Sequence, residues 1–229
     1  MSFRFLAVPA LMIWISGCRT GEIEPEFHDL PLKLDGGQLS RNQKVESAKR
    51  AAKLGWDAFY QKNYELAAHR FNQAWLLDAR NYNALWGMGV LSGQRALADN
   101  YKSNIKEAVR FLEMAYKRFK RNARLNADLA NAHRLYAALL LKEQGDWSKY
   151  MENMNEDVAS HIEKAEALFF DSYNRNSSDG AMLVNFINFC FLIEDYELAA
   201  RLVREAGSLG INLPDYMFYK VDKMLKSKR

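Results

Sequence analysis

Two thiols, four imidazoles and 28 carboxylates are the groups in this 229-residue chain to be weighed first for chemistry. Cys190 sits inside Asn185-Phe-Ile-Asn-Phe-Cys-Phe-Leu-Ile193, an apolar helical pattern, and reads as a packed core thiol. Cys18 is placed differently: it ends Ile13-Trp-Ile-Ser-Gly-Cys18, at the close of an apolar run from Phe5 to Ile15 broken only by Pro9. His28, His69, His133 and His161 are scattered without metal-ligand spacing, so each reads as a surface or packing residue. The pairs Glu194-Asp195 and Glu156-Asp157 fall at expected helix starts, where carboxylates complement the helix dipole. The chain has no GxxxxGK[ST], GxGxxG, HExxH or CxxC. These residues point to a non-enzyme with no cofactor and no metal, and the chemistry worth following is at Cys18.

Met1 to Arg4 carries one positive charge ahead of that run. About twenty apolar residues are needed to span the hydrocarbon layer, so a run this short with a basic start and small residues at its end suits a secretory signal. Ile15-Ser16-Gly17-Cys18 resembles the lipobox of bacterial lipoproteins. The resemblance implies cleavage after residue 17, diacylation of the Cys18 sulfur and acylation of the new amino end. Each buried methylene contributes about 0.8 kcal/mol and one chain anchors only marginally, so a triacylated Cys18 would be a stable anchor. Arg19, where aspartate is absent, implies by the same resemblance the periplasmic face of a Gram-negative outer membrane. A transmembrane anchor, or a plain signal peptide with an incidental cysteine, is the alternative. If Cys18 is acylated, Cys190 has no thiol left to pair with and no internal disulfide framework exists.

From Arg19 to about Leu39, Pro25, Pro31 and Gly36-Gly37 interrupt a stretch with no sustained period, the pattern of a tether on which Phe27, Leu30, Leu32 and Leu34 offer docking points. Proline is then absent until Pro214 and apolar residues recur at helical spacing, so the rest is expected to be all-helical. Asn63-Tyr-Glu-Leu-Ala-Ala-His-Arg-Phe-Asn-Gln-Ala74 and Asp195-Tyr-Glu-Leu-Ala-Ala-Arg-Leu-Val-Arg-Glu-Ala206 repeat one pattern. Ile105 and Ile162 open two further copies, and the four starts from Tyr64 to Tyr196 are separated by 41, 57 and 34 residues. One 34-residue unit, with insertions in two of the three intervals, is the period of a helical-hairpin solenoid.

The chain resembles the tetratricopeptide repeat family over about residues 45 to 213. Small residues are needed where two helices cross closely. Ala67, Ala108, Ala165 and Ala199 hold the first small position of the second helices, Phe71, Leu112, Phe169 and Val203 the large one, and Ala74, Ala115, Ser172 and Ala206 the second small one. The first helices supply Leu54-Gly55, Met88-Gly89 and Leu129-Ala130, but Phe186-Ile187 is bulky where a small residue is expected, and the family's proline after the second helix is missing. The implied fold is an all-α, right-handed α-solenoid of about four hairpins with a C-terminal capping helix. The expected division is a signal peptide at 1–17, a lipidated cysteine and tether at 18–40, and a repeat domain at 41–229. Its units fall near 48–81, 82–122, 123–179 and 180–213, with the cap at 214–227. Helices are expected near 41–60, 64–78, 82–97, 103–119, 123–144, 148–175, 180–193 and 196–207, with Pro214 in the first turn of the last.

Both insertions fall between the first and second helix of a unit. The larger one carries Trp147, Tyr150, Met151 and Met154 on a protruding hairpin, either as a partner-binding patch or packed on neighbouring helices. By the resemblance, Trp56, Tyr60, Asn83, Trp86, Asn131, Arg134 and Asn188 line a concave, partner-binding face. Ala127 and Val184 stand where the family's carboxylate clamp has lysine, so a free C-terminus is not the expected ligand. The basic run Tyr116 to Arg124 mixes five cations with two aromatics, but its place at a helix end, where cations complement the carbonyls, favours a solvated face, with anionic lipid headgroups or an acidic partner, not nucleic acid, as the functional alternative. The resemblances together imply a lipid-anchored adaptor that binds another envelope protein, in the manner of pilotins and assembly factors of outer-membrane or pilus and secretion machines. The alternative is a small-ligand-binding helper of a periplasmic uptake system, with Trp56, Tyr60 and Trp86 lining a closed pocket.

Overall fold

The computed structural model describes residues 33–34, 37–96, 101–144 and 156–227. Helices α1 (Arg41–Tyr60), α2 (Tyr64–Leu77), α3 (Tyr82–Ala96), α4 (Tyr101–Arg118), α5 (Ala123–Gln144), α6 (Glu156–Arg175), α7 (Gly180–Leu192), α8 (Tyr196–Ser208) and α9 (Asp215–Ser227) follow one another. Strands β1 (Lys33–Leu34) and β2 (Gly37–Gln38) precede them as a two-residue antiparallel pair, Lys33 opposite Gln38 and Leu34 opposite Gly37. This short ladder lies in the segment expected to be an unstructured tether. Leu39 is buried with Ala48 and Leu77, so contact with the helical body already begins there. Trp147, Tyr150, Met151 and Met154, Cys18, and the docking points Phe27, Leu30 and Leu32 lie outside the described residues.

The helices start where a short polar side chain can accept from a backbone N–H three residues on, satisfying a donor the helix itself leaves unpaired. Asn63 accepts from Leu66 N at 3.1 Å, Asn81 from Ala84 N at 3.1 Å and Asn122 from Leu125 N at 3.0 Å. Asp179 does the same for Met182 N at 3.1 Å and Asp195 for Leu198 N at 2.9 Å. Ser40 and Gln43 form a reciprocal capping box at the head of α1. These caps replace the missing prolines as the punctuation between helices. Pro214 lies one residue before α9, its carbonyl accepting from Met217 N at 3.0 Å, and not in the first turn.

The chain is an all-α solenoid of helical hairpins. Helices pair as α1 with α2, α3 with α4, α5 with α6 and α7 with α8, successive first helices α1, α3, α5 and α7 touch, and α9 packs on α8. Ala67, Ala108, Ala165 and Ala199 are all buried, as are Ala74, Ala115, Ser172 and Ala206. Phe71 is fully buried against Gly55 and Gly87, and Leu112 against Gly89, so small residues on the first helices admit large ones from the second. In the fourth unit the bulky pair is accommodated differently: the Phe186 ring lies nearly parallel to that of Phe169, centroids 5.1 Å apart at 5°. Among the described residues no helix is long and apolar enough to cross a membrane.

Candidate binding face

The first-helix positions of the face expected from sequence fall into four groups. Trp56 and Tyr60 on α1 are one turn apart, and their rings stack with centroids 6.0 Å apart. Trp56 also meets Trp86 of α3 edge-on at 4.9 Å and Phe71 of α2 at 5.2 Å. Trp86 is 9% exposed, Trp56 is half-buried and Tyr60 is 58% exposed, so one aromatic wall runs from the core to solvent. On α5, Arg134 donates from Nε and a terminal nitrogen to Asn131 Oδ1 at 3.0 and 2.8 Å. On α7, Asn188 donates to the Val184 carbonyl and accepts from the Tyr216 hydroxyl of α9 at 2.9 Å. Asn83 is half-buried in the first turn of α3. Thus the structure joins the aromatic residues to one another but pairs Asn131 with Arg134 and Asn188 with α9.

Two residues of this surface were missed from sequence. Trp86 Nε1 donates to Asp128 Oδ2 at 2.7 Å, and the Arg124 guanidinium lies 5.8 Å from the centre of the Tyr60 ring. Arg124 and Asp128 are one turn apart on α5, so the circuit Tyr60, Trp56, Trp86, Asp128, Arg124 closes on itself. Burial pushes the Asp128 carboxyl up to about 6; the Trp86 N–H and the charge of Arg124 pull the other way, and Asp179 adds repulsion. The i, i+4 spacing was visible in Arg124-Leu-Asn-Ala-Asp128, but nothing in it signals the tryptophan across the helix interface.

A second polar cluster lies between α4, α5 and α6. His133 Nδ1 faces His161 Nδ1 at 2.7 Å, His133 is 1% exposed, and its Nε2 lies 3.8 Å from Glu113 Oε1. Burial drives the His133 imidazole down to about 3, with His161 and Lys164 adding to the effect, so its approach to Glu113 is that of a neutral ring and not an ion pair. Burial also lowers His161, reinforced by Lys164 and opposed by Glu113 and Asp157. Burial pushes the Cys190 thiol up to about 12, which keeps it protonated and unreactive. Among the described residues no three His, Cys, Asp or Glu side chains are grouped to hold a metal.

No protein-family model matches the chain, and no curated protein matches it. A solved structure from work on the functional characterization of Pseudomonas aeruginosa pilF is similar at 15% identity, with 81% of this chain and 87% of that one covered. The TM-score between the two is 0.41.

Proposed function

We propose that the protein is a non-enzymatic adaptor, held by acyl chains on Cys18 at the periplasmic face of an outer membrane, that binds another envelope protein through its first-helix face. The observation that carries the binding role is the wall of Trp56, Tyr60 and Trp86: aromatic rings supply contact area at little conformational cost, and this wall continues from core to solvent. A tetratricopeptide-like stack offers such a face because each hairpin repeats the same exposure of its first helix. The membrane location rests on residues 1–19 of the sequence, where a short apolar run ends in Ile15-Ser16-Gly17-Cys18. A photo-crosslinking residue at Tyr60 in a functional full-length copy, followed by mass spectrometry from intact cells, tests the proposal. We expect one envelope protein to be captured there and not from a crosslinker at exposed Arg204 on the second helix α8. Capture of nothing, or of the same proteins from both positions, removes the adaptor role.

A further inference from the structure

We infer that the surface formed by Tyr60, Trp56, Trp86 and Asp128 takes a cationic side chain, a guanidinium or an ammonium, from an extended segment of the protein partner. This deepens the adaptor role proposed above and rests on it. Three observations carry it. First, Asp128 Oδ2 accepts the Trp86 indole, while no donor among the described residues reaches Asp128 Oδ1, although the residue is only partly exposed. A carboxylate that holds one donor on Oδ2 can take a further donor on Oδ1. Second, the charges that act on Asp128 are one guanidinium, Arg124, and one further carboxylate, Asp179, so Arg124 alone stands beside two carboxylates and a further cation is favoured there. Third, the chain already shows what this surface accepts: exposed Arg124 places its guanidinium over the Tyr60 ring at 5.8 Å. A cation over an aromatic face gains about 0.5–2 kcal/mol depending on desolvation, which is a roughly two- to thirtyfold preference.

Arg124 has a definite part in this scheme. It lies where an incoming cation would bind, so it competes with the ligand instead of contacting it. Removing its charge should therefore tighten binding of a positively charged segment, the opposite of the effect expected of a residue that grips an acidic one. Asp128 must be ionised to hold the ligand, so binding weakens as pH falls through about 6. The groups facing Asp128 are Trp86 from α3, Arg124 from its own helix and Asp179 at the head of α7.

The test is an NMR titration of the full-length protein, labelled with nitrogen-15 on its indoles, with four acetylated and amidated pentapeptides Gly-Gly-X-Gly-Gly in which X is Arg, Lys, Leu or Glu. We expect the Arg and Lys peptides to shift the Trp86 and Trp56 indole signals and to bind about tenfold more tightly than the Leu and Glu peptides. Asp128→Asn keeps an acceptor for the Trp86 indole and should abolish the preference, Tyr60→Ala should weaken Arg-peptide binding, and Arg124→Gln should strengthen it. Equal binding of all four peptides, tightest binding of the Glu peptide, weakened binding in Arg124→Gln, or no response to millimolar Arg peptide each overturns the inference. Should Asp128→Asn fail to fold, Tyr60→Ala and Arg124→Gln alter exposed side chains and still decide. Capture of an envelope protein at Tyr60 together with equal peptide affinities leaves the adaptor standing without the cation. Selective Arg-peptide binding with nothing captured in cells removes the envelope partner but not the cation chemistry.

Discussion

Gly87 and Phe71 touch so closely that a methyl group added to Gly87 would lie 2.3 Å from Cε1 and Cζ of the ring. Phe71 has no room to retreat, because Gly55 faces it from α1 and Trp56 meets its ring edge-on at 5.2 Å. Gly87→Ala is therefore expected to lower stability by about 1–3 kcal/mol, the range for overpacking a full core, even though alanine is the better helix former. Gly93→Ala on the same helix meets nothing within 4 Å and should be neutral or stabilising. Urea unfolding of the two variants checks this: equal midpoints would mean that Phe71 is not wedged between α1 and α3.

The turns before α2 and α8 are the same device built twice. Lys62 and Glu194 both have positive φ, 62° and 59°, and the caps that follow, Asn63 and Asp195, have φ/ψ of −85°/76° and −81°/77°. A side chain in the left-handed region costs about 1 kcal/mol, which glycine avoids. Lys62→Gly and Glu194→Gly should each raise the melting temperature, and a fall in either would contradict the shared turn geometry. The cap itself acts in the other direction: Asp195→Ala should cost about 1 kcal/mol.

These paired turns explain how much of the fold was legible in the sequence. Tyr-Glu-Leu-Ala-Ala recurs because one hairpin geometry recurs, and it opens both α2 and α8. Local signals set several helix starts: at α3, α5, α7 and α8 the cap lies three residues ahead of a buried apolar residue. What the sequence did not yield depends on residues far apart along the chain. Gly87 was passed over for Gly89 because either suits a helix crossing, and only the position of Phe71 on another helix distinguishes their roles. Asp128 is 42 residues from Trp86, and His133 is 28 from His161; no periodicity marks such pairs. Of the expected face, the aromatic residues were recoverable since they share the first-helix register, whereas Asn188 is engaged by Tyr216 of a helix outside the repeat.

Acylation of Cys18 is expected from Ile15-Ser16-Gly17-Cys18 and from the apolar run before it. Cells fed radiolabelled palmitate should label the wild type and not Cys18→Ala, and the variant should leave the membrane fraction. Equal labelling would remove the anchor while leaving the helical face untouched.

Acid should loosen the α4–α5–α6 interface through His133 and His161. Their 2.7 Å contact needs one Nδ1–H and one Nδ1 lone pair, so the pair cannot survive with both rings charged. The folded chain depresses both imidazoles below the usual 6.5, with His133 down to about 3. The unfolded chain thus binds more protons below pH 6.5, and stability present above that value is lost as pH falls through it, continuing to about pH 3 for His133. Between pH 7 and pH 5 this amounts to about 2 kcal/mol for His133 at 1.36 kcal/mol per unit. The groups facing the pair are Glu113 on α4 and Lys164 and Asp157 on α6; Glu113 and Asp157 limit the depression of His161 and Lys164 deepens it. Asp128 has the opposite sign: its folded value of about 6 lies above the usual 3.8, so its protonation favours the fold as pH falls, by about 1 kcal/mol over the same interval. The urea midpoint should accordingly fall from pH 7 to pH 5, fall more steeply in Asp128→Asn, and flatten in His133→Gln, which removes the more deeply buried imidazole. A midpoint that rises on acidification in the wild type would show that the imidazoles are not held neutral by the fold.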